Sequence, residues 1–232
     1  MIATFIIEIS LAIYTVWRYK LNPITRVTTA IFICLAVFQL AEYNICTETW
    51  GVDSATWGRI GHVAITFLPP LGIHLVAKLA GEKRRWPYIA AYAFGVLYAL
   101  YFMLATQGVS AATCLGNYVL FEQGVWSGWP YAIYYYGLLL AAIGYALWLA
   151  GSKKVGSPVR KSLHALVMGY LLFMIPTTAV NLVDPSTISG IPSIMCGFAV
   201  LLAIVLAFAV LPFAHEKSRK SVSSKQTTKK RK

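Results

Sequence analysis

Charge is scarce in this sequence. Of 232 residues only 12% are charged and only 8 are acidic, where soluble domains carry roughly 25% charged residues. The apolar residues, 58% of the chain, fall in long runs rather than in an alternating or one-faced pattern. Together these facts exclude a soluble globular enzyme and a disordered chain. Four cysteines are too few for a disulfide-rich secreted scaffold. There is no GxSxG, no Walker loop and no paired GxGxxG, so catalysis of the soluble type has no support. The four histidines, His62, His74, His164 and His215, form neither an HxxxH nor an HExxH pair. The net charge of +12 does not by itself exclude a nucleic-acid binder, because a total is silent about where the charges sit.

What is present is a set of apolar runs long enough to cross a bilayer, which takes roughly 20 residues. They cover about 1–17, 24–45, 59–80, 86–105, 129–150, 161–182 and 191–214. Asn22-Pro23, Trp86-Pro87, Trp129-Pro130, Gly156-Ser157-Pro158 and Gly190-Ile191-Pro192 punctuate them, and proline at a helix start costs no hydrogen bond. The runs are too long for barrel strands and do not alternate. The first is read as a retained helix, because no base precedes it and no small-residue cleavage site follows. The expected fold class is all-α: a polytopic membrane protein with a seven-transmembrane-helix bundle spanning 1–214, followed by a basic, disordered cytoplasmic tail at 215–232.

The bases set an orientation. With the N-terminus outside and the C-terminus inside, nineteen bases fall on the inner side against Glu82 and Glu216, and Arg59 falls outside against six acids. The inner surface and tail then suit anionic inner-leaflet lipid. The acidic outer mouth suits cationic or neutral ligands. No aromatic residues interleave with the tail bases, so nucleic acid is not an expected partner. The longest non-helical segment, about 106–128, lies on the outer side and contains no Lys or Arg. Loops of that length are more often functional or disordered than idle.

Ionisable groups inside a membrane are functional candidates by default. Gln39, Glu42, Tyr43 and Cys46 share one face of span two, and Thr177, Thr178, Asn181 and Asp184 share one face of span six. His62 with Thr66, and Thr4 with Glu8, add i, i+4 pairs at similar depth. These residues point to an outer cavity with Glu8, Gln39, Glu42, Tyr43, His62, Thr66, Asn181 and Asp184 as ligand contacts; the plainer reading is interfacial or interhelical hydrogen bonding. No metal and no cofactor is expected. Pro69-Pro70 bends span three and reads either as a hinge or as a static kink. His74, Lys78 and His164 lie toward the inner end, where they would couple such a hinge to the inner face. Cys46 and Cys114 are both placed outside, where they can pair and pin the long loop over the bundle. Trp50, Trp57, Trp86, Trp126, Trp129 and Trp148 cluster at span ends as an interfacial belt. Tyr131, Tyr134, Tyr135 and Tyr136 encircle span five, so some must face the interior.

Trp57-Gly58-Arg59-Ile60-Gly61-His62, running on to Phe67-Leu68-Pro69-Pro70-Leu71-Gly72-Ile73-His74-Leu75, resembles the N-terminal seven-transmembrane sensor region of bacterial and archaeal histidine kinases. Ala41-Glu42-Tyr43-Asn44 at the end of span two is similar in style. The resemblance implies a plasma-membrane receptor for a small extracytoplasmic ligand, acting on a cytoplasmic output protein. No phosphoacceptor helix, ATP-binding domain or cyclase follows Ala214, so the output partner is expected to be separate. Other seven-helix classes fit less well. The last span has no Schiff-base lysine for retinal and no histidine pair for a zinc-dependent hydrolase of the ceramidase type. No repeat suggests a sugar-transporter arrangement. A small transporter of another kind remains the competing reading. The expectation is a sensor without catalysis of its own.

Overall fold

The computed structural model describes residues 1–153 and 155–215, with the backbone alone at Thr49. The expected tail beyond His215 lies outside the described residues. Within them the chain forms seven helical segments long and apolar enough to cross a membrane. Helices α1 (Ile2–Tyr19) and α2 (Pro23–Thr47) form the first pair, and α3 (Ser54–Thr66) and α4 (Leu68–Ala80) share the third span. Next come α5 (Trp86–Leu104) and a two-stranded antiparallel hairpin of β1 (Val109–Cys114) and β2 (Val119–Gln123). The bundle closes with α6 (Trp129–Gly151), α7 (Ser157–Val183) and α8 (Ile191–Val205), whose axis continues through a π turn over Leu206–Val210.

Local chemistry sets the ends. Asn22 Oδ1 accepts from the Ile24 and Thr25 amides (2.9 and 3.0 Å), so α2 begins at Pro23. Asp53 takes the Thr56 amide at 2.8 Å and the Thr56 hydroxyl at 2.7 Å, so α3 begins about a turn earlier than the apolar run alone suggests. Those bonds hold the Asp53 carboxyl below the ordinary aspartate range. Gly156 caps α7, which therefore also starts ahead of the apolar run. Among the described residues the one sheet is the hairpin, whose turn uses Gly116 in the left-handed region.

Helix α2 runs through the middle, packed on α1, α3, α4 and α8. Phe32, Leu35 and Phe38 are its fully buried anchors. Close approach is enforced at Gly72, where a Cβ would overlap the buried Tyr170 hydroxyl. Most other spans turn large apolar residues outward, among them Leu97, Ile133, Trp148 and Leu182, as lipid-facing helices must. Trp50, Trp86, Trp126, Trp129 and Trp148 stay exposed, but Trp57 is buried against Trp50 and leaves the expected belt.

Candidate functional site

The hairpin is strapped across one end of the bundle at three points. Cys46 at the end of α2 and Cys114 at the end of β1 are disulfide-bonded, with Cα atoms 5.2 Å apart. The Val119 amide donates to Ser193 Oγ of α8 at 3.0 Å. The Gln123 side-chain amide meets His62 Nε2 of α3 at 3.2 Å. Gly58 lets the hairpin settle on α3, since a Cβ there would reach Val109 and Phe121.

His62 is fully buried. Its Nδ1 lies 2.8 Å from the Gly58 carbonyl oxygen, which can only accept. Nδ1 therefore carries the proton, and Nε2 accepts from Gln123. Phe38, Phe102, Phe121 and Tyr131 enclose the ring at centroid distances of 4.8 to 6.2 Å. With both nitrogens engaged, His62 joins α3 to the hairpin.

Below it, the third span breaks between α3 and α4. Pro69 and Pro70 have no N–H to return to Ile65 and Thr66. The Tyr134 hydroxyl donates to the Thr66 carbonyl at 2.8 Å, replacing the bond that Pro70 cannot make. Thr66 Oγ1 donates to the His62 carbonyl at 2.7 Å and lies 2.9 Å from the Tyr131 hydroxyl. The break is therefore braced from α6, and the prolines serve here as the first turn of α4. Tyr134→Phe is expected to cost about 1–2 kcal/mol by orphaning that carbonyl. Unfolding in mixed micelles, with Tyr136→Phe as the matched control, measures it; equal stabilities would show that the brace carries no load.

A second polar group lies between α1, α2 and α8. Glu8, Gln39 and Glu42 are buried to 2% exposure or less. Thr4 Oγ1 sits 2.6 Å from Gln39 Oε1 and 2.6 Å from the Met1 carbonyl. Its single proton can serve only one of them. The other contact is relieved by turning the Gln39 amide so that its nitrogen donates to Thr4. Glu42 lies within electrostatic reach of the Ser193 hydroxyl and keeps one oxygen without a protein partner. Glu8 keeps both oxygens bare and lies within electrostatic reach of Glu42.

The principal cavity lies elsewhere. About 620 Å³ opens between α6, α7 and the start of α8, beneath β2 and the segment leading to α6. Ile65, Gln123, Tyr131, Tyr135, Asn181 and Met195 contribute to its wall, and none of its lining residues is charged. Helix α8 stands between the two features. Its Ile191, Pro192 and Met195 face the cavity, while Ser193 reaches Glu42.

The eight expected ligand contacts therefore do not form one pocket. Asn181 lines the cavity and is held by the Thr187 hydroxyl at 2.7 Å. Glu8, Gln39 and Glu42 are packed into a helix interface, and Tyr43 is half-buried beside them on α2. His62 and Thr66 are occupied in the brace and reach the cavity wall only through Gln123 and Tyr131. Asp184 is exposed and spends its carboxylate on the Ser186 amide and hydroxyl (3.0 and 2.6 Å), because α7 ends one residue before it. At the opposite end His74 stacks on Tyr88 (4.3 Å) and meets the Tyr92 hydroxyl at 3.1 Å. Lys78 lies 5.8 Å over the same Tyr88 ring. His164 is exposed on α7, so the expected inner triad is not assembled. Among the described residues, no three His, Cys, Asp or Glu side chains form a metal-holding group. Sequence reasoning missed Gln123 and Ser193. Their signal was weak, since neutral polar residues near span ends are ordinary.

The fold defines a polytopic membrane protein: a seven-helix bundle closed at one end by a disulfide-tied hairpin. The chain belongs to the family described as the N-terminal 7TM region of histidine kinase, whose model matches residues 1–214. It is thus a transmembrane sensor module of the histidine-kinase type. No curated protein and no solved structure matches it.

Proposed function

We propose that the chain is a receptor-like plasma-membrane sensor that binds a small neutral ligand at its hairpin end and signals to a cytoplasmic output protein, without catalysis of its own. The observation that carries this is the cavity of about 620 Å³ with an uncharged wall, within the size range of small-molecule sites. Of the six acids expected on the outer side Glu8 and Glu42 are buried at a helix interface, and none of the six lines this cavity. The hairpin end is placed outside, a reading supported by the Cys46–Cys114 bridge and by the distribution of bases. The proposed route to the inner side is α8. Its first turns wall the cavity, and its π turn packs on α7, where Ser162 Oγ donates to the Val210 carbonyl at 3.2 Å. Such turns recur at functional sites.

The test begins with a thermal-shift screen of small neutral and cationic compounds on the full chain in nanodiscs. The expected hit is neutral, binds saturably and loses its effect in Asn181→Leu. Flux measured in proteoliposomes separates the competing reading. A hit that is carried across the membrane would make the protein a transporter, and a cationic hit insensitive to Asn181 would move the site away from the cavity.

A further inference from the structure

We propose that this cavity takes a neutral amphiphile, an apolar body with one uncharged hydrogen-bonding head, which enters sideways from the bilayer leaflet at the hairpin end. The proposal rests on the cavity being the ligand site and adds the ligand's class and route.

Chain direction orders the lining. Gln123 and Ser127 precede α6, and Asn181 lies within a turn of the end of α7, so these polar groups gather at the hairpin end. Farther along both helices, Tyr135 and Tyr136 on α6 and Thr178 on α7 mark the floor. Seven residues of α6 separate Trp129 from Tyr136, a depth of about 10 Å. A molecule that fills this shape places its head at the interface and its body toward the membrane interior, the orientation that lipids of that leaflet already have. Gln123 has its amide nitrogen engaged by His62, which leaves its carbonyl oxygen as an acceptor for a hydroxyl head. With no charged group in the wall, an ionised head would be desolvated without compensation.

The mouth faces the bilayer. Ile133 and Leu182, on the two helices that flank the opening, are 71% and 78% exposed although both are cavity-lining. Side chains that are at once lining and lipid-facing are the rim of a lateral opening. Gln123 at the end of β2, with Ser127 and Gly128 behind it, closes the same cavity at the hairpin end.

The test uses the full chain in nanodiscs and a photoactivatable long-chain fatty alcohol, with the matching alkylammonium and alkylsulfonate as charged controls. Crosslinks are mapped by mass spectrometry. The expected result is labelling concentrated on Trp129–Tyr136 and Thr178–Met195, reduced about tenfold by Leu182→Trp, which plugs the rim from an exposed position that does not hold the fold. Leu104→Trp, equally lipid-facing on α5 but outside the lining, should leave labelling unchanged. Labelling spread evenly over the exposed helix faces, or equal labelling by a charged control, would overturn the proposal. If a water-soluble hit from the thermal-shift screen protects the cavity and is indifferent to Leu182→Trp, the sensor reading stands and the lateral route falls. If neither class of probe occupies the cavity, both fall.

Discussion

Reduction of the Cys46–Cys114 bridge is expected to lower stability by about 2–4 kcal/mol. The bridge closes a loop with a sequence separation of 68, which contains the third and fourth spans and β1. Its other anchors are weaker. The bonds from Val119 to Ser193 (3.0 Å) and between Gln123 and His62 (3.2 Å) are neutral single contacts, each worth about 1 kcal/mol. Without the covalent tie, two such bonds and the packing of Val109 and Phe121 must hold the hairpin alone. The loss should therefore be local first. Amide exchange at Val119 and Gln123 should rise before the helices respond, and proteolysis should enter near Gly116.

Function should follow the hairpin, because Gln123 both lines the cavity and bonds His62. A Cys46→Ser, Cys114→Ser double variant should reproduce the effect of reductant and show no further response to it. Hydrogen exchange and micellar unfolding with and without reductant check both points. Unchanged exchange in the hairpin after confirmed reduction would show that the two hydrogen bonds suffice.

The spans were legible because each is an uninterrupted apolar run with proline or glycine at its border. Their ends were less so. Asp53 and Gly156 extend α3 and α7 outward through caps, which hydropathy does not register. The hairpin left a short trace: its strands are 6 and 5 residues long, and its one signal is the Gly116-Asn117 dipeptide between Leu115 and Tyr118. What fastens it to the bundle is a bridge to a distant helix. Spacing placed Gln39 and Glu42 on one face of α2, and the structure keeps them there. Which helices that face would meet was not in the spacing, and the partners proved to be α1 and α8. Asp184 continued the periodicity of Thr177 and Asn181 on paper, but the helix stops at Val183 and turns it into a cap. The cavity was least legible of all, since it is a gap between the paths of α6 and α7 rather than a pattern in either.

Glu8→Met should make the protein more stable, by about 1–3 kcal/mol. Glu8 is fully buried, and neither carboxyl oxygen has a protein hydrogen-bonding partner. Leaving polar atoms so costs free energy that an apolar side chain of similar length does not. The same change at Glu42 should have the opposite sign. There the Ser193 hydroxyl lies within electrostatic reach of the carboxyl while its oxygen accepts from Val119, so Glu42→Met removes the acceptor nearest to a buried donor and loosens the hairpin's hold on α8. Glu8→Lys, which sets an ammonium among the same apolar helices, should prevent folding outright. The opposed signs at two positions of one buried cluster separate this account from a uniform one. If both methionine variants lose stability equally, the two carboxyls share a partner that holds them as a unit. If both gain, the Ser193 contact is too weak to matter. The expected pairing, measured by SDS-induced unfolding in mixed micelles, assigns the structural role to Glu42 and leaves Glu8 as a group that the fold carries at a cost. Glu8→Met, more stable and still able to bind in the cavity, is then the variant in which to ask whether that carboxyl takes part in passing the signal to α8.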